Sequence, residues 1–241
     1  MKNQPFGILG GMGPEASLHF CLLLTKMTQV TKDQDHIPYI LYNKPKIPDR
    51  TNAILNNGPS PLKELLAGIK VLEQCSCRFI VIPCNTAHYY REDLQKETKI
   101  PIINMIAETV LNIRKLHKKS TKIGLLATSG TIHSQIYQKA FAKNEIEVMI
   151  PEAKLQEELV MPTIYQIKKE GLNSSSYKLF LPAMNFLKTK GAKISILGCT
   201  EISLAFKGQK KIESFIDPME VLAQKVISLY HKKERKEKLI E

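Results

Sequence analysis

Short apolar runs alternate with longer amphipathic stretches along the whole chain. Phe6–Leu9 predicts a first strand, and Pro14 and Glu15 suit the first turn of a helix continuing through Leu18, Leu22, Leu23 and Met27. Tyr39–Asn43 predicts a second strand, followed by a loop over residues 44–51 that Pro45, Pro48 and Asp49 make rigid. A helix over Pro61–Cys75, a strand over Phe79–Pro83, a helix over Ala87–Lys96, a short strand at Ile102–Ile103 and a helix over Ala107–Leu116 follow. The pattern then restarts. Lys122–Ala127 reads as a strand, Ser129-Gly130-Thr131 as a small-residue turn and Ile132–Ala142 as a helix. Glu147–Ile150 is a strand, Lys154–Glu170 holds one or two helices, and Tyr177–Lys190 is a helix. Strands at Ile194–Leu197 and Phe215–Ile216 and a helix over Val221–Lys232 complete the chain.

Strands alternating with helices argue for an α/β class with mainly parallel sheets. Both halves run strand, small-residue turn, helix, then a later strand ending in cysteine. Cys84 and Cys199 lie 115 residues apart, and Gly7 and Gly124, which precede the two turns, lie 117 apart. That near-equal offset predicts two similar Rossmann-like three-layer domains related by a pseudo-twofold axis. The expected units are 1–103 plus a returning 213–241, and 104–212. Ligands of open α/β sheets bind beyond the carboxyl ends of the strands, which places a site in the cleft between the halves.

Composition narrows the function. The 241 residues are 43% hydrophobic and 24% charged, ordinary for a globular protein, and no apolar run approaches a membrane span. Met1–Pro5 lacks a signal-peptide layout, which predicts a cytoplasmic protein. Its five cysteines are an odd number and widely spread, so reduced thiols are expected. The net charge of +12 comes from scattered residues, densest at Arg114, Lys115, Lys118, Lys119 and Lys122, and the tail His231–Lys238 mixes signs as a solvated face does. With no aromatic-basic interleaving, the charge fits steering of an anionic substrate better than nucleic-acid binding.

The candidate chemistry sits at the two strand ends, Pro83-Cys84-Asn85-Thr86 and Gly198-Cys199-Thr200-Glu201. A thiol followed by a helix start lies near N–H groups that favour the thiolate. A lone cysteine there is more often inert core, but two in symmetric places can face one carbon and move a proton from one side to the other. Gly10-Gly11-Met12-Gly13-Pro14 matches neither a dinucleotide nor a P-loop fingerprint, and its N–H groups suit a carboxylate or simply a tight turn. Arg50 is either a held guanidinium for a carboxylate or a surface arginine. Lys168 and Lys169 suit a helix end, His88 suits helix packing, and the six histidines show no metal-ligand spacing.

Taken together, Gly7–Pro14, Ile47–Thr51, Pro83–His88, Gly124–Thr131, Leu197–Ile202 and Asp217-Pro218 resemble the aspartate/glutamate racemase family, most closely its aspartate branch. The resemblance spans nearly the whole chain. It implies a cofactor-independent amino-acid racemase, commonly dimeric, acting on a small dicarboxylic amino acid. By position, Cys84 and Cys199 become the catalytic thiols. Asn85, Thr86, Thr128, Thr131 and Thr200 would surround the α-carboxylate and amino group, and Arg50 would engage a substrate carboxylate. Met12, Thr51 and Glu201 complete the implied substrate-binding set. The family motif Ile-Tyr-x-x-x-Lys-x-Gly places Lys169 as a second cation, with Lys168 one register away. Alternatives are a glutamate or broad-specificity racemase, a cysteine-dependent isomerase or decarboxylase of small diacids, and a non-catalytic basic module.

Overall fold

The computed structural model describes residues 4–116, 122–142, 146–209 and 214–237, with side chains of the last helix described to Tyr230. Lys118 and Lys119 of the basic run, and the side chains of the mixed-charge tail, lie outside the described residues.

Two parallel sheets form. The first has the order β2-β1-β3, from β1 (Phe6–Gly10), β2 (Tyr39–Asn43) and β3 (Ile80–Val81). The second has the order β5-β4-β6-β7, from β4 (Lys122–Ala127), β5 (Glu147–Met149), β6 (Ile194–Gly198) and β7 (Phe215–Ile216). In each half the first strand is central and flanked by the next two, the repeat that the equal spacings predicted. Although it follows residue 213, β7 pairs with β6 in the second sheet.

Strand alternation gives each sheet two buried faces. Phe6 and Ile8 join one core with Phe20, Leu24 and Val81, while Leu9 joins the opposite core with Leu65, Ile69 and Leu72. Leu126 and Leu197 face one core of the second sheet, and Leu125 and Ile196 face the other. Helices cover these faces, so each half is a three-layer α/β unit. Among them are α1 (Pro14–Met27), α2 (Arg50–Leu55), α3 (Leu62–Gln74), α4 (Arg91–Lys96), α5 (Met105–Leu116), α6 (Ser129–His133) and α7 (Ile136–Phe141). The second half continues with α8 (Ala153–Leu155), a π-turn (Gln156–Val160), α9 (Met161–Glu170), α10 (Leu181–Thr189) and α11 (Thr200–Ala205). The last helix, α12 (Pro218–Glu237), returns to the first half, where Met219, Leu222 and Val226 pack with Phe6 and Phe20. Among the described residues no helix is long and apolar enough to cross a membrane.

Five local differences from the sequence reading matter for the site. Arg50 and Thr51, expected in the loop, open a helix that runs to Leu55, because the Asp49 carboxylate caps it by accepting the Asn52 N–H at 2.7 Å. Ser129–His133 is a helical turn capped by Thr128, and Gln135 at φ 57° separates it from α7. Strand β3 stops at Val81, where Ile82 and Pro83 break the ladder. Ile102 makes only one bridge, to Ile80, and Thr86–Tyr90 is a 3₁₀ turn ahead of α4.

Candidate active site

The loops at the carboxyl ends of β1, β3, β4 and β6 meet between the two halves. Helices α2 and α6 touch there, and Gly130 makes this possible: a Cβ on it would stand 2.8 Å from the Thr51 Cα. Behind the seam is a chamber of about 10 Å³, room for about one water. Cys84 and Cys199 both line it, each 5% exposed, and both are free thiols. Met12, Asp49, Arg50, Lys168 and Glu201 form walls that the chamber shares with an outer cleft of about 560 Å³. The outer cleft is of small-molecule size.

Each half supplies one thiol through different local chemistry. Cys84 follows the strand break, and its carbonyl accepts the His88 Nδ1–H at 2.9 Å. The Met105 N–H donates to His88 Nε2 at 3.1 Å, so the ring is neutral and pinned at both nitrogens. Cys199 is the N-cap residue of α11, and its carbonyl accepts from the Ser203 N–H at 3.0 Å. Its thiol donates to Glu201 Oε2 at 3.0 Å.

Several buried donors point to an anionic occupant. The Asn85 side-chain oxygen accepts the Tyr137 hydroxyl at 2.6 Å, which leaves the amide nitrogen buried without a partner. Arg50 Nη1 donates to the carbonyls of Pro48 at 3.0 Å and Ile47 at 3.3 Å, while its buried Nε has no partner. Thr86, Thr128 and Thr131 close a triangle of hydroxyls with sides of 3.0, 2.8 and 3.0 Å, joining the two halves. A ligand with polar ends can replace the hydrogen bonds these threonines make to one another.

Burial and the neighbouring Glu201 charge push the Cys199 thiol well above its usual range. The helix start therefore does not dominate there, contrary to the expectation of a favoured thiolate: a six-residue helix is outweighed by desolvation and an adjacent carboxylate. Burial pulls the Lys168 ammonium down, but the neighbouring Glu201 charge opposes it and Lys168 stands above its usual value.

Burial also lowers the His88 pKa to about 4, against about 6.5 when unfolded. The unfolded chain thus binds a proton that the folded one refuses. This contribution is complete above about pH 6.5 and is lost as pH falls toward 4, about 3 kcal/mol in all. Urea unfolding between pH 7 and 4.5 is expected to have a shallower pH slope in His88→Gln than in the natural protein; equal slopes would contradict this.

The sequence pattern of "Asp/Glu/Hydantoin racemase" matches residues 9–226. The chain belongs to that family. It is 28% identical over 228 residues to the broad specificity amino-acid racemase RacX of Bacillus subtilis, covering 93% of this chain and 97% of that protein. Its fold superposes on the Picrophilus torridus aspartate racemase with a TM-score of 0.83 at 33% identity, covering 95% of this chain and 94% of that one. It also superposes on the Francisella tularensis glutamate racemase in complex with D-glutamate, TM-score 0.73 at 22% identity, over 97% and 83% of the two chains. That last likeness is one of fold.

Within this racemase-family fold, the residues singled out by sequence divide cleanly. Met12, Arg50, Thr51, Cys84, Asn85, Thr86, Thr128, Cys199, Thr200 and Glu201 all line the chamber. Thr131 stands behind it, bonded to Thr86 and Thr128. Lys169 does not reach the chamber and lines only the outer cleft; Lys168 lines both. The signal for Lys168 was in the sequence, since Ile164, Ile167 and Lys168 share one helix face at i, i+3 and i+4. The glycine turn is also not an open cradle. The Gly11 N–H donates to Ser17 Oγ at 2.9 Å, and Gly11, at φ +95°, lets the Lys44 backbone pack where a Cβ would stand 2.3 Å away. Tyr137 went unremarked in the sequence, since its contact with Asn85 joins distant segments, and Asp49 was read there only as stiffening a loop. Among the described residues no three His, Cys, Asp or Glu side chains are grouped to hold a metal.

Proposed function

We propose that the protein is a cofactor-independent racemase of a small dicarboxylic amino acid, aspartate first, in which Cys84 and Cys199 act on opposite faces of the α-carbon. The observation that carries this reading is the pair of equally buried thiols, one from each half, lining one chamber beside unpartnered donors of Arg50 and Asn85. One cysteine enters as thiolate and takes the α-hydrogen as a proton, forming an S–H bond as the Cα–H bond breaks. The other thiol gives its proton to the opposite face. The reverse reaction exchanges the roles, and the two thiols titrate as a coupled pair because only one negative charge is needed.

The α-carboxylate would accept from the Asn85 amide and the threonine hydroxyls, which also stabilise the charge that spreads into it as the α-proton leaves. Arg50 and Lys168 would take the side-chain carboxylate and hold the α-carbon in line with both sulfurs. The chamber holds about one water as it stands, so the substrate enters by parting the walls shared with the outer cleft. That cleft leaves room beyond an aspartate side chain, which supports activity on glutamate and longer substrates as a second, broader reading. By the family resemblance the enzyme would act as a homodimer.

Chiral chromatography of L-Asp, D-Asp, L-Glu and D-Glu incubated with purified protein and no added cofactor tests the reading. Interconversion of the aspartate enantiomers at a higher kcat/KM than the glutamate pair is expected. Stable enantiomers in all four reactions would overturn it.

A further inference from the structure

The two thiols are equally buried but not equally partnered. Cys199 donates to Glu201 Oε2 at 3.0 Å, and the Thr200 hydroxyl donates to the same oxygen at 3.2 Å. The other carboxylate oxygen lies 3.9 Å from Lys168 Nζ, and Glu201 is only 4% exposed. A carboxylate with a cation near one oxygen and two donors on the other acts as a hydrogen-bond acceptor. Among the described residues no carboxylate accepts a hydrogen bond from Cys84.

We propose that Glu201 decides which thiol carries the proton in the free enzyme: it retains hydrogen on Cys199 and leaves Cys84 as the thiol that ionises first. Glu201 is thus a positioning residue that acts through Cys199, rather than a substrate ligand. This inference rests on the two-thiol reading above and adds an asymmetry to it.

The ionisable groups within reach of Cys199 come from every element around the chamber. They are Glu201 on α11, Lys168 and Tyr165 on α9, Asp49 and Arg50 at the start of α2, and Cys84 after β3. Glu201 is the one that hydrogen-bonds the thiol. A thiolate formed on Cys199 would stand against that carboxylate, whereas the thiol is satisfied by it.

The proton count follows. In the reactive form that this proposal requires, Cys84 is S⁻ and Cys199 is S–H. It takes hydrogen from the α-carbon face turned to Cys84 and delivers the Cys199 proton to the opposite face, ending with Cys84 as S–H and Cys199 as S⁻. Transfer of one proton from Cys84 to Cys199, directly or through water, restores the starting form. The free enzyme is therefore poised for one enantiomer and must reset after converting it.

Limited alkylation with iodoacetamide tests this, with the Cys84 and Cys199 peptides quantified separately by mass spectrometry across pH 6–10. Cys84 and Cys199 are each 5% exposed, so overall burial does not favour one residue over the other. In the natural protein Cys84 is expected to react about tenfold faster than Cys199 at pH 7.5. Glu201→Gln is isosteric and is expected to erase the preference by moving the Cys199 midpoint to lower pH; Glu201→Asp is expected to keep part of it. Equal rates in the natural protein, or an unchanged ratio in Glu201→Gln, overturn the proposal. Racemisation measured on the same samples separates the two claims: normal activity without the preference sinks the role of Glu201 alone, and the preference without activity sinks the racemase reading alone.

Discussion

Cys84→Ala is expected to lower kcat/KM for aspartate racemisation by about 10³-fold, and Cys199→Ala to do the same, within the range for losing a positioned proton-transfer group. Both directions must fall together in each variant. The enantiomers have equal free energy, so kcat/KM for L to D equals that for D to L whatever is mutated. The two variants separate in a partial reaction instead. Cys199→Ala retains the Cys84 thiolate, which can still take a proton from one enantiomer and return a deuteron from D₂O to the same face. Cys84→Ala is expected to exchange only the other enantiomer. Polarimetry reads the first effect, and NMR of the α-hydrogen in D₂O reads the second. A variant that racemises within tenfold of the natural protein would remove its cysteine from the chemistry.

Lys168→Met is expected to raise KM for aspartate by about a hundredfold, the scale of a hydrogen bond between charged groups, while Lys169→Met changes it by about twofold or less. Lys168 lines both the chamber and the cleft and stands 3.9 Å from Glu201; Lys169 lines the cleft alone. The substitution also leaves the buried Glu201 carboxylate without its cation, which adds to the cost of bringing in a substrate with two carboxylates. Steady-state kinetics with aspartate and with alanine checks the assignment. If Lys168 holds the side-chain carboxylate, its loss affects aspartate far more than alanine. An equal effect on both, or a larger effect of Lys169→Met, contradicts it.

Sheet and core were legible because strands of a parallel sheet read as short, mostly apolar runs between turn signals. Tyr39–Asn43, Lys122–Ala127 and Phe215–Ile216 form strands with the bounds the sequence predicted. The repeat was legible as well, in the equal spacing of the cysteines and of Gly7 and Gly124. Short elements at the seam were harder to read. Proline and Asp49 read equally as a stiff loop or as the cap of a six-residue helix, and only the packing of α2 against α6 decides. The register of the lysines was obscured by following a motif rather than the face that Ile164 and Ile167 define. The state of Cys199 was not readable from local sequence, since it depends on burial and on Glu201 folding back two residues along the chain.

The claim beneath the whole account is that hydrogen departs from one face of the α-carbon and a different one arrives on the other. Racemisation of L-aspartate in D₂O, stopped in its first few per cent, measures this most directly. D-aspartate is expected to carry solvent deuterium at the α-carbon, while the recovered L-aspartate keeps its original hydrogen. Product that retains the substrate's own hydrogen, or recovered substrate labelled as fast as product, would contradict it.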